Sequence, residues 1–206
     1  MNMKMGNRLT NLKRYNLILA SRSPRRQTLL QGLDLLFEIK VKNTKEVYPE
    51  DMNYIDVPEF LAKLKAEAFD LEGLKKNDIL ITADTIVVLD GEIIGKPKNK
   101  EEAKLILKQL SGKEHTVITG VCLTSKEHKR SFSSSSQVKF REINEQDIDY
   151  YVEEYKPLDK AGAYGIQEWI GYVAIEKITG SFYNVMGLPT QLLFEELIQF
   201  TKLMKY

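Results

Sequence analysis

Tyr15-Asn16-Leu17-Ile18-Leu19-Ala20-Ser21-Arg22-Ser23-Pro24-Arg25-Arg26 changes backbone type part-way along. The apolar run 15–20 reads as a short buried strand. Ser23 then caps a helix, and Pro24 stands where a missing N–H costs nothing. The helix carries Leu29, Leu30 and Leu33, and Gly32 weakens its end. A strand that turns directly into a helix is the unit of an α/β fold, and the same alternation continues downstream. Residues 36–41 read as a second strand, 43–56 as irregular, and 57–71 as a helix closed near Gly73. Runs 79–82 and 85–89 are β-rich, and Asp90-Gly91 before Ile93 is a hairpin signal. Helical spacing returns over 100–110 and 145–155. Strands are expected over 115–124, 131–140 and 173–178, and a last amphipathic helix follows Pro189. The fold class is therefore α/β, a mixed twisted sheet flanked by helices.

The 206 residues are 43% hydrophobic, enough for one sizeable core. Lys and Arg number 30 against 29 Asp and Glu, a net charge of +1. Such a balance gives no general attraction to nucleic acid or to an acidic membrane, so any anion site must be local. The single cysteine, Cys122, excludes an internal disulfide framework and a multi-cysteine zinc site, and fits a reducing cytoplasmic setting. It reads as a buried small hydrophobe. The run Leu17–Ala20 is too short for a signal core or a membrane span. Residues 1–14 are expected to form a loose basic extension and 15–206 a single domain. Ser133–Ser136, the only low-complexity stretch, fits an exposed strand.

Several constellations suggest chemistry. At the 20–26 turn, helix N–H groups, the hydroxyls of Ser21 and Ser23, and Arg22, Arg25 and Arg26 could together hold a polyphosphate. The plainer reading is a capped helix with solvated arginines. Asp84, inside the apolar run 79–88, needs a partner or a task. At a bend between two strand segments it could bind a metal or orient a water, or else simply bond local backbone. Lys96, at the end of Gly91-Glu92-Ile93-Ile94-Gly95-Lys96-Pro97, could neutralise phosphate charge or be an exposed hairpin lysine. Gln167, after the small-residue stretch 157–166, offers a donor and an acceptor, as the edge of uracil or thymine does; it is otherwise an exposed turn residue. Ser111-Gly112-Lys113 lacks the spacing of a phosphate loop, and His115 has no second histidine at ligand spacing, so both read as structural.

In order along the chain, Leu19–Arg26, Ala83-Asp84-Thr85, Gly95-Lys96-Pro97, Leu110-Ser111-Gly112 with His115 and Thr119-Gly120, Asp159–Gln167, and Gly187-Leu188-Pro189 resemble the Maf family of septum-formation-inhibitor-like nucleotide pyrophosphatases. The resemblance implies a fold like that of inosine triphosphate pyrophosphatases, with a cleft between two lobes. It also implies hydrolysis of nucleoside triphosphates at the α-phosphate. It places the catalytic acid on Asp84 and phosphate contacts on Ser21, Arg25, Arg26, Lys65, Lys96 and Lys160. A divalent cation, Mg²⁺ or Mn²⁺, would be held by Asp84 with Glu46. Arg25, Thr85 and Gln167 match the branch resembling dTTP/UTP pyrophosphatases, with Thr85 and Gln167 reading the base. The branch that places Trp after Ser-Pro and acts on 7-methyl-GTP is less similar. After Gln167 the chain departs from many relatives, carrying Glu168-Trp169 where they continue with Gly. The competing reading is a non-catalytic nucleotide-sensing regulator of cell division; a water-positioning acid beside several lysines counts against it. The expected partner is the nucleotide alone, with neither nucleic acid nor membrane, and a homodimer is the commonest assembly for such a chain.

Overall fold

The computed structural model describes residues 5–204, with side chains from residue 8 onward. Its elements are α1 (Met5–Leu12), β1 (Asn16–Leu19), α2 (Pro24–Gln31), β2 (Phe37–Ile39), α3 (Val57–Glu67), β3 (Asp78–Leu89), β4 (Glu92–Ile94), α4 (Lys100–Leu110), β5 (Glu114–Thr124), β6 (Lys129–Phe140), α5 (Glu145–Tyr155), α6 (Trp169–Ala174), β7 (Ile175–Thr179), α7 (Phe182–Met186) and α8 (Thr190–Leu203), with a 3₁₀ turn at Ala161–Ala163. The strands bond in the order β2-β1-β3-β5-β6-β7, with β4 on β3. This is the mixed α/β arrangement expected. The described residues fall into two compact units, 5–84, 120–134 and 187–204 in one, and 85–119 and 135–186 in the other. None of the described helices is long and apolar enough to cross a membrane.

In the first unit β1 pairs in parallel with β2 and with β3, Leu17 lying opposite both Phe37 and Ile79. Parallel neighbours need crossovers, which α2 and α3 supply; β1 and β3 are apolar and largely buried, as covered parallel strands are, while β2 at the edge is largely exposed. Ile18 and Leu80 pack on Ala62 and Ala66 of α3 and on Cys122, which is fully buried as expected. Thr82 Oγ1 ties strand to helix by donating to Ala62 O at 2.6 Å. Closer still is the approach at Gly120, where a Cβ would lie 2.3 Å from the carbonyl carbon of Pro58 and from the amide nitrogen of Glu59.

In the second unit β3 and β4 form the hairpin announced by Asp90-Gly91, both with positive φ (52° and 89°), as a primed turn requires. Asn99 and Asn144 cap α4 and α5, accepting from Glu102 N at 2.8 Å and Asp147 N at 2.7 Å. The core between these helices and the sheet holds Leu107, Leu110, Phe140, Tyr151 and Tyr164.

Three differences from the sequence reading have physical causes. Residues 5–12 are helical rather than loose: Leu12 is buried, and Arg8 pairs with Glu195 of α8 and lies over Phe194. Residues 1–4 of that extension lie outside the described residues. The runs 79–82 and 85–89 form one continuous strand, so Asp84 sits within a strand and not at a bend. Residues 169–174 are helical, delaying the expected strand to Ile175; Gly171 permits this, since a Cβ there would lie 1.8 Å from Ile166 O. Ser136, at the end of the serine run, is buried. It donates to Ser181 O and accepts from Ser181 N and Asn184 Nδ2.

His115 is structural. It is buried, meets Phe140 and Tyr164 edge-on, and places Nε2 2.8 Å from the Tyr164 hydroxyl. Burial pulls its pKa down from 6.5 to about 4. The folded state therefore resists a proton that the unfolded chain accepts. Stability from this residue is complete above pH 6.5 and is lost as pH falls toward 4, by about 3 kcal/mol. NMR titration should keep the imidazole neutral down to about pH 4, and an ordinary titration near 6.5 in the folded protein would refute it. Gly120→Ala should cost about 2–4 kcal/mol in urea unfolding, because backbone rather than a yielding side chain meets the new methyl.

Candidate active site

Ser21 follows the end of β1 and is buried, with Ala20 N bonded to Ile81 O at 2.9 Å. Its Oγ accepts from Ser23 N at 3.2 Å, which leaves the hydroxyl hydrogen to donate elsewhere. Ser23 caps α2 as the sequence reading held, accepting from Arg26 N at 3.5 Å. The arginines of this turn are not alike. Arg22 is exposed and donates to Asn43 Oδ1, while Arg25 is half-buried. Arg26 is turned inward: Nε donates to Gly187 O at 2.8 Å and Nη1 to Ala83 O at 2.9 Å. Two of its donors hold backbone, one of them at the residue just before Asp84. Its pKa is lowered by burial, against which the nearby Asp84 carboxylate acts.

Asp84 is 7% exposed. Lys65, from the last turn of α3, approaches its Oδ1 to 2.5 Å and Glu46 Oε1 to 2.8 Å. Glu46 belongs to the irregular segment after β2. Residues 46, 65 and 84 are thus gathered around one ammonium. This explains how an acid is tolerated within a buried strand, since a buried charge needs a partner. Among the described residues no group of three or more His, Cys, Asp or Glu is arranged to hold a metal.

The second unit carries the other expected positions. Thr119 Oγ1 donates to Asn184 O at 3.0 Å, so in its 2.9 Å contact with Thr85 Oγ1 it must accept. Lys96 is exposed and has no ion-pair partner among the described residues. Lys160 is 7% exposed and pairs with Asp159 (2.7 Å) and with Glu168 Oε1 (3.2 Å). The other Glu168 oxygen accepts from the Tyr151 hydroxyl, which itself accepts from Gly165 N at 3.0 Å. Burial, then the bond to Glu168, pushes the Tyr151 pKa up. Gln167 Nε2 donates to Glu168 Oε1 at 3.4 Å, and Gln167 Oε1 is buried with no hydrogen-bond partner.

A family model described as Maf-like protein matches residues 16–200. The chain belongs to the Maf family. Among curated Maf-like relatives, a protein of Porphyromonas gingivalis (strain W83) is 52% identical over 194 residues, covering 93% of this chain and 98% of that protein. One from Bacteroides thetaiotaomicron is 49% identical over 190 residues, covering 92% and 98%. One from Flavobacterium johnsoniae is 48% identical over 186 residues, covering 90% and 95%. All three are named dTTP/UTP pyrophosphatase. A solved structure, the Ham1 protein of Staphylococcus aureus, matches with a TM-score of 0.42 at 14% identity, over 61% of this chain and 71% of that one.

The Maf motifs marked Gly187 only as part of Gly187-Leu188-Pro189; its carbonyl is what Arg26 grips. Tyr151 escaped notice because a tyrosine on an amphipathic helix reads as core; it is core, and its hydroxyl also bonds Glu168. Arg26→Lys tests the grip, because one ammonium cannot reproduce two separately directed guanidinium bonds. It should lower stability by about 1–3 kcal/mol in urea unfolding; unchanged stability would show the two carbonyls to be held by other means.

Proposed function

We propose that this Maf protein is a nucleoside triphosphate pyrophosphatase that converts dTTP and UTP to the monophosphate and pyrophosphate. The observation that carries the chemistry is the convergence of Asp84 and Glu46 on Lys65. The substrate comes from the names of the relatives, each about half identical over nearly the whole chain. We also place the activity in the cytoplasm, in keeping with the lone buried thiol.

Lys65 fixes the direction of the Asp84 carboxylate. Asp84 orients the attacking water and takes its proton. The water oxygen bonds to the α-phosphorus as the bond to the bridging oxygen breaks, and pyrophosphate leaves with that electron pair. The Ser21 hydroxyl donates to a phosphate oxygen. Arg25 and Lys65 supply positive charge, as does Arg26, which also fixes the strand at Ala83. Lys96 and Lys160 are assigned further phosphate charges, and Thr85 and Gln167 the base. Catalysis then comes from positioning and electrostatics, without a covalent intermediate.

Asp84 and Glu46 also fit a divalent cation, Mg²⁺ or Mn²⁺, since both already direct an oxygen at one positive centre. Two carboxylates with substrate phosphates and waters make an ordinary Mg²⁺ set. The chemistry such a cation supplies is neutralisation of triphosphate charge and activation of the water.

Pyrophosphate release should be measured on dTTP, UTP, CTP, GTP and 7-methyl-GTP, with Mg²⁺, with Mn²⁺ and with chelator. Metal-dependent turnover led by dTTP and UTP is expected, and Asp84→Asn should lower kcat by about 10²- to 10⁴-fold. Near-normal turnover by Asp84→Asn refutes the role of that residue. Tight nucleotide binding without turnover of any of them refutes the enzyme.

A further inference from the structure

Gln167 has a buried carbonyl oxygen without a partner, while its amide nitrogen is engaged. A glutamine amide that can turn half a circle exchanges donor for acceptor, and so accepts two ring edges of opposite pattern. Uracil and thymine offer N3–H as donor beside O4 as acceptor. Cytosine offers N3 as acceptor beside an N4 amino donor. A rotating glutamine pairs with either; a glutamine held in one orientation pairs with one.

In this chain the orientation is held. Glu168 is ion-paired with Lys160, so its carboxylate accepts and does not donate. Only the NH₂ side of Gln167 can face it. Glu168 is itself fixed at its second oxygen by Tyr151, whose hydroxyl hydrogen is committed because Gly165 N occupies its acceptor side. Gly165 makes room for the pair: a Cβ there would lie 2.8 Å from the Glu168 carboxyl carbon and 2.9 Å from Gln167 Nε2. The engaged nitrogen keeps a second hydrogen, so the held amide has one unpartnered carbonyl and one spare N–H in fixed order.

We infer that Glu168 is a specificity-determining positioning residue: through its ion pair with Lys160 and its bond from Tyr151 it locks the Gln167 amide with the carbonyl presented, selecting a pyrimidine ring that carries N3–H and rejecting cytosine. The inference rests on the assignment of Gln167 as base reader made above.

The test compares kcat/KM for UTP and CTP in the wild type, Gln167→Ala and Glu168→Gln. Glu168→Gln keeps the shape but can donate or accept, so it releases the lock. Loss of the Lys160 ion pair will affect both nucleotides together; the UTP-to-CTP ratio cancels that effect. The ratio is expected to fall about tenfold in Glu168→Gln, with CTP gaining relative to UTP, and to flatten in Gln167→Ala. A flattened ratio in Gln167→Ala with an unchanged one in Glu168→Gln overturns the lock and leaves the base reader standing. An unchanged ratio in both overturns the reader and the lock with it. Where Glu168→Gln does not fold, Tyr151→Phe carries the test, since it releases one Glu168 oxygen: a smaller fall in the ratio is expected, and no change overturns the lock.

Discussion

The Lys65 ammonium between Asp84 and Glu46 is the interaction on which the first unit is organised. β3 is buried on both faces over almost its whole length, and an isolated carboxylate there would cost several kcal/mol. A lysine reaching over from α3 supplies the counter-charge at 2.5 Å. The same contact draws the irregular segment after β2 toward the strand through Glu46. One pairing thus makes the acid tolerable, fixes its direction, and gathers a second carboxylate beside it.

What the sequence reveals is what periodicity and punctuation encode. α4 and α5 lie where helical spacing puts them, and the structure adds the caps Asn99 and Asn144 at their starts. The hairpin follows from Asp90-Gly91, whose φ values few other pairs adopt easily. The bend expected at Asp84 does not exist, because an acid interrupts an apolar pattern without interrupting a strand once Lys65 neutralises it. α6 is not announced in the sequence, because the need for a bare Cα at Gly171 against Ile166 O is visible only in three dimensions. α1 was hidden because a basic, polar sequence gives little sign that Leu12 will be buried.

The candidate site was legible in its residue types and less so in its bonding. Ser21, Asp84, Lys65 and Glu46 were named from motif and resemblance. The charges of Asp84, Lys65 and Glu46 explain why those three gather, but no spacing rule joins positions 46, 65 and 84. Arg26 illustrates the limit: as one arginine of three at a helix start it looks like a phosphate ligand, yet two of its donors hold the carbonyls of Ala83 and Gly187. Glu168 was conspicuous as a departure, and its meaning depends on partners at 151, 160 and 165 that the chain brings together only on folding.

The bare contact between Gly120 and the start of α3 has a consequence for Lys65. Pro58 and Lys65 are seven residues apart, two helical turns on one side of α3, or about 10 Å along its axis at 1.5 Å per residue. The helix touches the sheet backbone to backbone at its first turn, so its longitudinal position is set there with no side chain between to yield. The ammonium is thereby carried on a stiff rod of known length clamped at the far end. Its height above Asp84 is a dimension of the scaffold, inherited from a place two turns away where no functional side chain stands.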